Sequence, residues 1–367
     1  MIYLDYGATS FHKPAAVYRA VERAMRTCAN PGRGGYEPAM RAARVVYDCR
    51  EAAGKLFSCK PEQVVLTTSC THGLNLAIRS LVKPEAAVVT TGFEHNAVMR
   101  PLYALNARIR IAGRRLFDWD DTLTQFENAL QGADAAVFTH VSNVFGYILP
   151  VGEMAAMCRS RGIPFILDAA QSAGTLPVNF RELGADFVAM PGHKGLLGPQ
   201  GTGLLLCARP GTPLLYGGTG TQSLSREMPE ELPERLEPGT LNVPGYAGLT
   251  QGLRYLNRVG TEGGFRREQG LAERCAHGLI RQGFRVFAGP HQGATVSFVP
   301  SVDCETGAEL LAGQGFAVRA GLHCAPLAHE SAGTLSTGTI RVSLGYDTTP
   351  GEIDGFLRAT AKIRGNR

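Results

Sequence analysis

The sequence predicts an α/β protein: a large part built on a mainly parallel sheet, followed by a smaller α+β C-terminal part. Three observations carry this. Short apolar runs alternate with amphipathic stretches from about residue 14 to residue 210. Most of those runs are almost continuously apolar, as strands covered by helices on both faces are. After residue 245 the pattern changes to long helical stretches and strands that alternate like half-buried antiparallel ones. The 367 residues also exceed what one small core needs. The expected division is a large part over 14–250 and a smaller part made of 1–13 and 251–367.

Each element has its own signal. Val17, Ala20, Val21, Ala24 and Met25 mark one helical face, and Pro14 stands where a first-turn proline is tolerated. Pro38 opens a second helix that runs toward Phe57. Strands are expected at 64–68, 87–91, 135–139, 165–168, 187–190 and 203–207. Residues 217–244 are rich in Gly, Pro, Thr and Glu without periodicity, which reads as a long functional loop or a short hairpin. Helices near 245–258 and 265–282 follow. Residues 295–299 and 339–343 are the half-buried antiparallel strands. No internal repeat or low-complexity tract is visible.

Composition narrows the function. Charged residues are 19% and the hydrophobic set 44%, so disorder is not expected. The net charge of +5 is modest and the basic residues are scattered, which argues against nucleic acid and suits a pocket for an anionic cofactor or substrate. Nine cysteines, an odd number with no C-x-x-C pair, read as reduced intracellular thiols. The start Met1-Ile2-Tyr3-Leu4-Asp5 carries an acid and no apolar run, unlike a signal peptide. No stretch approaches the ~18 apolar residues of a membrane span. The expected location is the cytoplasm.

Polar residues gather where the parallel strands end, which is where open α/β sheets bind ligands. Residues 64–68 run into Ser69-Cys70-Thr71-His72-Gly73, a small hydroxyl-bearing turn that opens a helix and so attracts phosphate. Residues 135–139 lead to His140-Val141-Ser142-Asn143. Strand 165–168 ends in Asp168, followed by Ala169-Ala170-Gln171. Residues 187–190 lead to Pro191-Gly192-His193-Lys194-Gly195. An acidic residue and then a His-Lys pair at successive strand ends is the strongest of these signals.

Asp168-x-x-Gln171 followed by Gly192-His193-Lys194 resembles the class V aminotransferases among fold-type-I enzymes that use pyridoxal 5′-phosphate (PLP). Arg319-Ala320-Gly321-Leu322-His323-Cys324-Ala325-Pro326 narrows the resemblance to the cysteine desulfurase and selenocysteine lyase branch, with a group II-like catalytic loop. It covers nearly the whole chain, from Tyr3-Leu4-Asp5 to Arg341-Val342-Ser343. It implies a seven-stranded, mainly parallel sheet in the large part, with the catalytic cysteine and the substrate-carboxylate arginine in the small one.

The resemblance also implies roles by position. Lys194 holds PLP as a Schiff base, and Asp168 pairs with the pyridinium nitrogen, keeping the ring an electron sink. Gln171 hydrogen-bonds the ring hydroxyl, and His95 stacks on the ring face. Cys70, Thr71 and His193 hold the phosphate. Thr240, in Glu237-Pro238-Gly239-Thr240, is the phosphate ligand this family takes from the neighbouring subunit, which implies a homodimer. Arg341 binds the substrate carboxylate through its fork, with Asn143 beside it. Cys324 attacks the sulfur of L-cysteine as a thiolate, leaving a persulfide and alanine. His323 and Arg319 are the local groups able to favour that thiolate. A sulfur-acceptor protein follows as partner, and L-selenocysteine is the alternative substrate. Other class V chemistry, with Cys324 a bystander, and PLP binding without turnover stay open.

Three positions depart from the family pattern. Leu322 stands where group II members usually carry a second histidine, Pro191 where a serine often binds phosphate, and His72 where a glutamate is common. The chain is also shorter than typical group II members, which places it in a related subgroup. Two other motifs are set aside. Gly198-x-x-Gly201-x-Gly203 precedes a strand, whereas a dinucleotide fingerprint follows one, so it reads as a tight turn below Lys194. His323, Cys324 and His329 lack a four-ligand zinc spacing, so no metal is expected.

Overall fold

The computed structural model describes residues 1–32 and 34–363. Strand β1 (Ile2–Tyr3) precedes helices α1 (Ala15–Thr27) and α2 (Glu37–Phe57). Pro14 caps α1, and Pro38 sits in the first turn of α2, where its missing N–H leaves no bond unmade. Of the face expected on α1, Val17 and Ala24 are buried but Met25 is exposed.

The large sheet and its helices follow in alternation. They are β2 (Val64–Thr67), α3 (Cys70–Leu81), β3 (Ala87–Thr91), α4 (Asn96–Ala104), β4 (Arg108–Ala112), α5 (Trp119–Ala129), β5 (Ala135–Thr139), α6 (Val151–Ser160), β6 (Phe165–Asp168), α7 (Phe180–Leu183), β7 (Phe187–Pro191) and β8 (Gly203–Cys207). Their order across the sheet is β2-β8-β7-β6-β5-β3-β4. The pairs from β7 to β4 are parallel, and β8 runs antiparallel to both β2 and β7. All six expected strands form. The seventh, β4, had no expected position. It is an edge strand, so Arg108 and Arg110 alternate with Ile109 and Ile111 where the central strands are continuously apolar. Apolar side chains on both sheet faces are covered, by α2 and α8 (Val243–Val259) on one side and by α3 and α4 on the other.

Residues 217–242 contain no strand among the described residues, only a 3-10 turn at Glu234–Leu236, so this region is a loop and not a hairpin. α8 runs unbroken through residue 250 and packs on α1 and α2. Then come α9 (Glu262–Arg281), β9 (Arg285–Phe287), β10 (Thr295–Val299), α10 (Cys304–Gly313), β11 (Phe316–Ala317), β12 (Arg319–Gly321), α11 (Pro326–Ala332), β13 (Thr339–Ser343) and α12 (Pro350–Ile363). A small antiparallel sheet forms in the order β12-β13-β10-β9. β10 and β13 are not half-buried as their alternation suggested; both are buried along almost their whole length. Val296, Phe298, Ile340 and Val342 pack under α9 and α12. The alternate residues face the large sheet's loops, where Ser297 Oγ donates to Val144 O at 2.6 Å and Arg341 Nη1 to Asn143 O at 3.0 Å.

Further backbone bonds join the two parts. Ile148 N–H donates to His291 O at 2.9 Å and Gly293 N–H to Gly146 O at 2.7 Å. Gly146 has φ +65°, and a Cβ there would lie 2.3 Å from Thr295 O, so only glycine fits this approach. The start of the chain belongs to the small part. β1 pairs in parallel with β11, and Asp5 bridges to Ser343 beyond it.

Candidate active site

Because β5, β6 and β7 are parallel, their carboxyl ends open on one side, and α3 begins there as well. The result is a cavity of about 110 Å³. Cys70, Thr71, His95, Asn143, Asp168, Gln171, His193 and Lys194 all line it, joined by Ser69 and Pro191. Eight residues expected from the sequence thus meet in one cup.

Asp168 and Lys194 oppose each other electrostatically at its floor. Burial pushes the Asp168 carboxyl up, while the Ala170 N–H (2.9 Å), the Lys194 amine and the Cys70 thiol pull it back. Burial pushes the Lys194 amine down, with Arg341 and Arg319 adding to the fall and Cys70 and Asp168 opposing it. An amine held down in this way is a ready nucleophile and proton acceptor. Cys70 Sγ points at Asp168 Oδ1, 3.5 Å away, so its backbone amide and not its thiol faces the α3 N-terminus. Ser69 caps that helix, its Oγ accepting the His72 N–H at 3.1 Å. The free first-turn amides make this end an anion seat.

His95 caps α4, its Nδ1 accepting the Ala97 N–H at 3.0 Å. That bond fixes the tautomer, so Nε2 carries the proton. Burial, helped by Lys194 and Arg341, pushes its pKa down to about 4, and the ring is neutral. His193 is likewise depressed to about 4, first by burial and then by Lys194. Its Nδ1 meets Thr9 Oγ1 at 3.1 Å, and its carbonyl accepts from Ser10 N–H at 2.8 Å. Gln171 Nε2 donates to Gly7 O at 3.0 Å.

Cys324 lies beside the cup. Its carbonyl accepts the Asn96 N–H at 2.8 Å, and the His323 carbonyl accepts from Asn143 Nδ2 at 2.8 Å. The loop turns on two consecutive left-handed residues, His323 at φ +50° and Cys324 at φ +56°. All nine cysteines are unpaired, and Cys324 alone among them is exposed. His323 points away from it: its Nε2 meets Thr339 Oγ1 at 3.2 Å inside the core, and burial holds its pKa down to about 2. A neutral, inward imidazole cannot supply a cation to the thiolate. Arg341 is buried and reaches the same region, its Nη2 bound to Asp5 Oδ1 at 2.5 Å. Its Nε has no partner among the described residues, the kind of orphan donor an incoming carboxylate satisfies. Thr240 does not line the cup; it is exposed on the loop before α8.

The model for aminotransferase class V matches residues 2–356. The chain belongs to that family. Among relatives, this class V protein is 31% identical to a probable cysteine desulfurase of Methanothermobacter thermautotrophicus, over 99% of this chain and 95% of the relative. It is 30% identical to one from Pyrococcus abyssi, over 97% and 92%. Its fold matches the apo cysteine desulfurase of Thermococcus onnurineus with a TM-score of 0.91 at 30% identity, covering 99% and 94% of the two chains. The Escherichia coli cysteine desulfurase in its S-sulfonic acid form superposes at 0.87 with 25% identity, over 98% and 94%.

The class V site also contains residues that the sequence did not single out. Glu94 Oε1 accepts from Thr91 Oγ1 (2.6 Å) and from the N–H of Thr139 (3.1 Å), tying the ends of β3 and β5 together beside His95. Glu237 anchors the Thr240 loop: its Oε1 accepts the Leu66 N–H at 2.5 Å and its Oε2 pairs with Arg50. Segment 5–10 touches Arg341, Gln171 and His193 in succession. The available signal was a buried charge needing a partner, and the partners are remote in sequence. Of the departures from the family pattern, His72 Nδ1 accepts from the Thr68 N–H at 3.4 Å, Pro191 ends β7, and Leu322 is partly exposed beside the cysteine.

Proposed function

We propose that this class V protein is a PLP-dependent cysteine desulfurase that converts L-cysteine to L-alanine and takes the sulfur onto Cys324. One observation carries the reading: the single exposed cysteine accepts the Asn96 N–H through its carbonyl, and Asn143 of the cup wall donates to the carbonyl of the preceding His323, beside a cup that pairs a depressed lysine with a buried aspartate. The cup suits PLP. Its α3 end would hold a phosphate with Thr71, the Cys70 amide and His193, Asp168 would pair with a ring nitrogen, and Gln171 would bond a ring hydroxyl. Bound there, PLP supplies an electron sink for the pair left when Cα loses its proton.

The chain's own groups do the rest. Arg341, with Asn143 beside it, binds the substrate carboxylate through its unsatisfied edge. Lys194 Nζ, whose proton affinity burial lowers, accepts the Cα proton. His95, which lines the cavity with its Nε2 protonated, would lie against the cofactor's ring face. Cys324 sulfur bonds to the substrate sulfur as the carbon–sulfur bond breaks; the electron pair stays with Cβ, which takes up a proton, Lys194 returns the proton to Cα, and alanine leaves. Thr240, exposed on its own subunit, serves the phosphate of a second copy in a symmetric dimer. A sulfur-acceptor protein in the cytoplasm takes the persulfide. The large part covers residues 14–250, and segment 1–13 joins residues 251–367 in the small part. No helix among the described residues is long and apolar enough to cross a membrane.

The test is direct. PLP-loaded protein is incubated with L-cysteine, L-selenocysteine and a keto acid, and alanine, sulfide, selenide and new amino acids are measured. Alanine from cysteine in equal amount to Cys324 persulfide supports the proposal. Alanine from selenocysteine alone points to a lyase, a new amino acid points to transamination, and no product with bound cofactor leaves a binding protein.

A further inference from the structure

Arg341 on β13 stands directly opposite Arg319 on β12. Opposed residues on paired strands share a face, so two guanidinium groups are brought to one side of the small sheet, and like charges so placed repel. Arg341 is 2% exposed, which removes the solvent that would screen it. Among the described residues, Asp5 is the one carboxylate bonded to either of them, at 2.5 Å from Arg341 Nη2. Arg319 is exposed to water, so the buried guanidinium that needs an anion is Arg341, and among the described residues Asp5 supplies it.

The backbone that carries Asp5 is fixed at this contact. On one side of it Ser343 N–H donates to Leu4 O at 2.9 Å, and on the other Gly7 N–H donates to Ser343 Oγ at 2.7 Å. The Tyr3 hydroxyl holds the Asp5 carbonyl at 3.0 Å. A Cβ on Gly7 would lie 3.1 Å from Arg341 Cζ, so the segment lies flat against the guanidinium because residue 7 has no side chain. The Nη2 edge of Arg341 is thereby occupied, Nη1 is taken by Asn143 O, and Nε is left without a partner.

We infer that Asp5 is a specificity-determining residue: by occupying one edge of Arg341 it limits the β12–β13 face to one substrate carboxylate and excludes dicarboxylates. A second carboxylate approaching Arg341 meets the Asp5 anion on the Nη2 edge instead of a free guanidinium edge. The inference rests on the reading of Arg341 as the substrate-carboxylate ligand.

The experiment is titration calorimetry of the PLP-loaded full chain with propionate and with malonate at matched ionic strength, neither of which reacts. Wild-type protein binds propionate about tenfold or more tighter than malonate. In Asp5→Asn the malonate-to-propionate affinity ratio rises by about tenfold or more, whereas Asp5→Glu, which keeps the charge, stays near wild type. An unchanged ratio in a folded Asp5→Asn protein overturns the inference, as does equal affinity for the two acids in the wild type, which needs no variant. Arg341→Gln separates the two readings. If it still binds propionate, Arg341 is not the carboxylate ligand and both fall. If propionate binding is lost but Asp5→Asn leaves the ratio fixed, only the role of Asp5 falls.

Discussion

The cup at the strand ends and the Cys324–Arg341 side of the site are held together over very different stretches of chain. In the cup, Asp168 takes its backbone bond from Ala170, two positions away, and Lys194 follows on the next strand. On the other side, Asp5 holds Arg341 across 336 positions and Asn143 holds the His323 carbonyl across 180. A local cup can be preorganised by the sheet that carries it. The remote side depends on the small sheet and the first ten residues arriving in register. Cofactor retention and substrate handling should therefore separate under mutation.

The largest effect is expected from the one residue both halves need. Lys194→Ala should lower alanine formation by on the order of 10³-fold or more and abolish borohydride attachment of the cofactor, read by peptide mass spectrometry. Reduced cofactor on another lysine would overturn the assignment. Cys324→Ala should break only the remote side. Alanine from cysteine should fall by about 100-fold or more, while the cofactor's visible absorbance stays and a substantial part of any selenocysteine activity remains, because selenium leaves carbon more readily. Loss of the absorbance in this variant would mean that the halves are not separable.

A third measurement asks whether the cup is complete within one chain. Mixing Lys194→Ala with Thr240→Ala protein, with exchange verified, should restore about a quarter of wild-type activity, since half the dimers then carry one intact site of two. No recovery would place Thr240 outside the partner's site.

The cup should also carry a pH signature of its own. Burial, with Asp168 adding, raises the Glu94 pKa from 4.5 to about 8, while the Thr91 hydroxyl and Thr139 amide pull it back. The folded chain keeps this proton to about pH 8 and the unfolded chain loses it near 4.5, so stability falls as pH rises through that window. Glu94→Gln mimics the protonated form. It should match wild type near pH 5 and melt a few degrees higher at pH 8.5, on the order of 2–4 °C by thermal scanning. The smallest effect concerns the loop. Thr339→Val removes the partner of a buried imidazole and should cost about 1–3 kcal/mol in denaturant unfolding. It should slow persulfide formation without loss of the cofactor.

The same contrast decides what could be read from the sequence. Asp168-x-x-Gln171 and Gly192-His193-Lys194 were legible because a strand end fixes its own neighbours. The long apolar strands were legible for the same reason. β4 was missed because an edge strand of alternating Arg and Ile lacks the apolar run that marked the others. The inward turn of His323 was not legible, since it depends on Thr339, sixteen positions on, and on a left-handed backbone that few residues besides glycine favour. The full burial of β10 and β13 was hidden because Ser297 and Arg341 look like solvent-facing positions until the large part's loop at 143–148 is placed over them.

The parallel pairing of β1 with β11, and of Asp5 with the β13 end, also has a consequence in time. A ribosome adding about 5–20 residues per second needs roughly 17–67 s to travel the 336 positions from Asp5 to Arg341. The cup strands are finished by Cys207, well before β11 or β13 exists. Throughout that interval residues 2–5 have no strand to join. The nascent protein should therefore show protease-sensitive residues 2–5 beside an already resistant large sheet, and the carboxylate side of the site should be the last part of the molecule to mature.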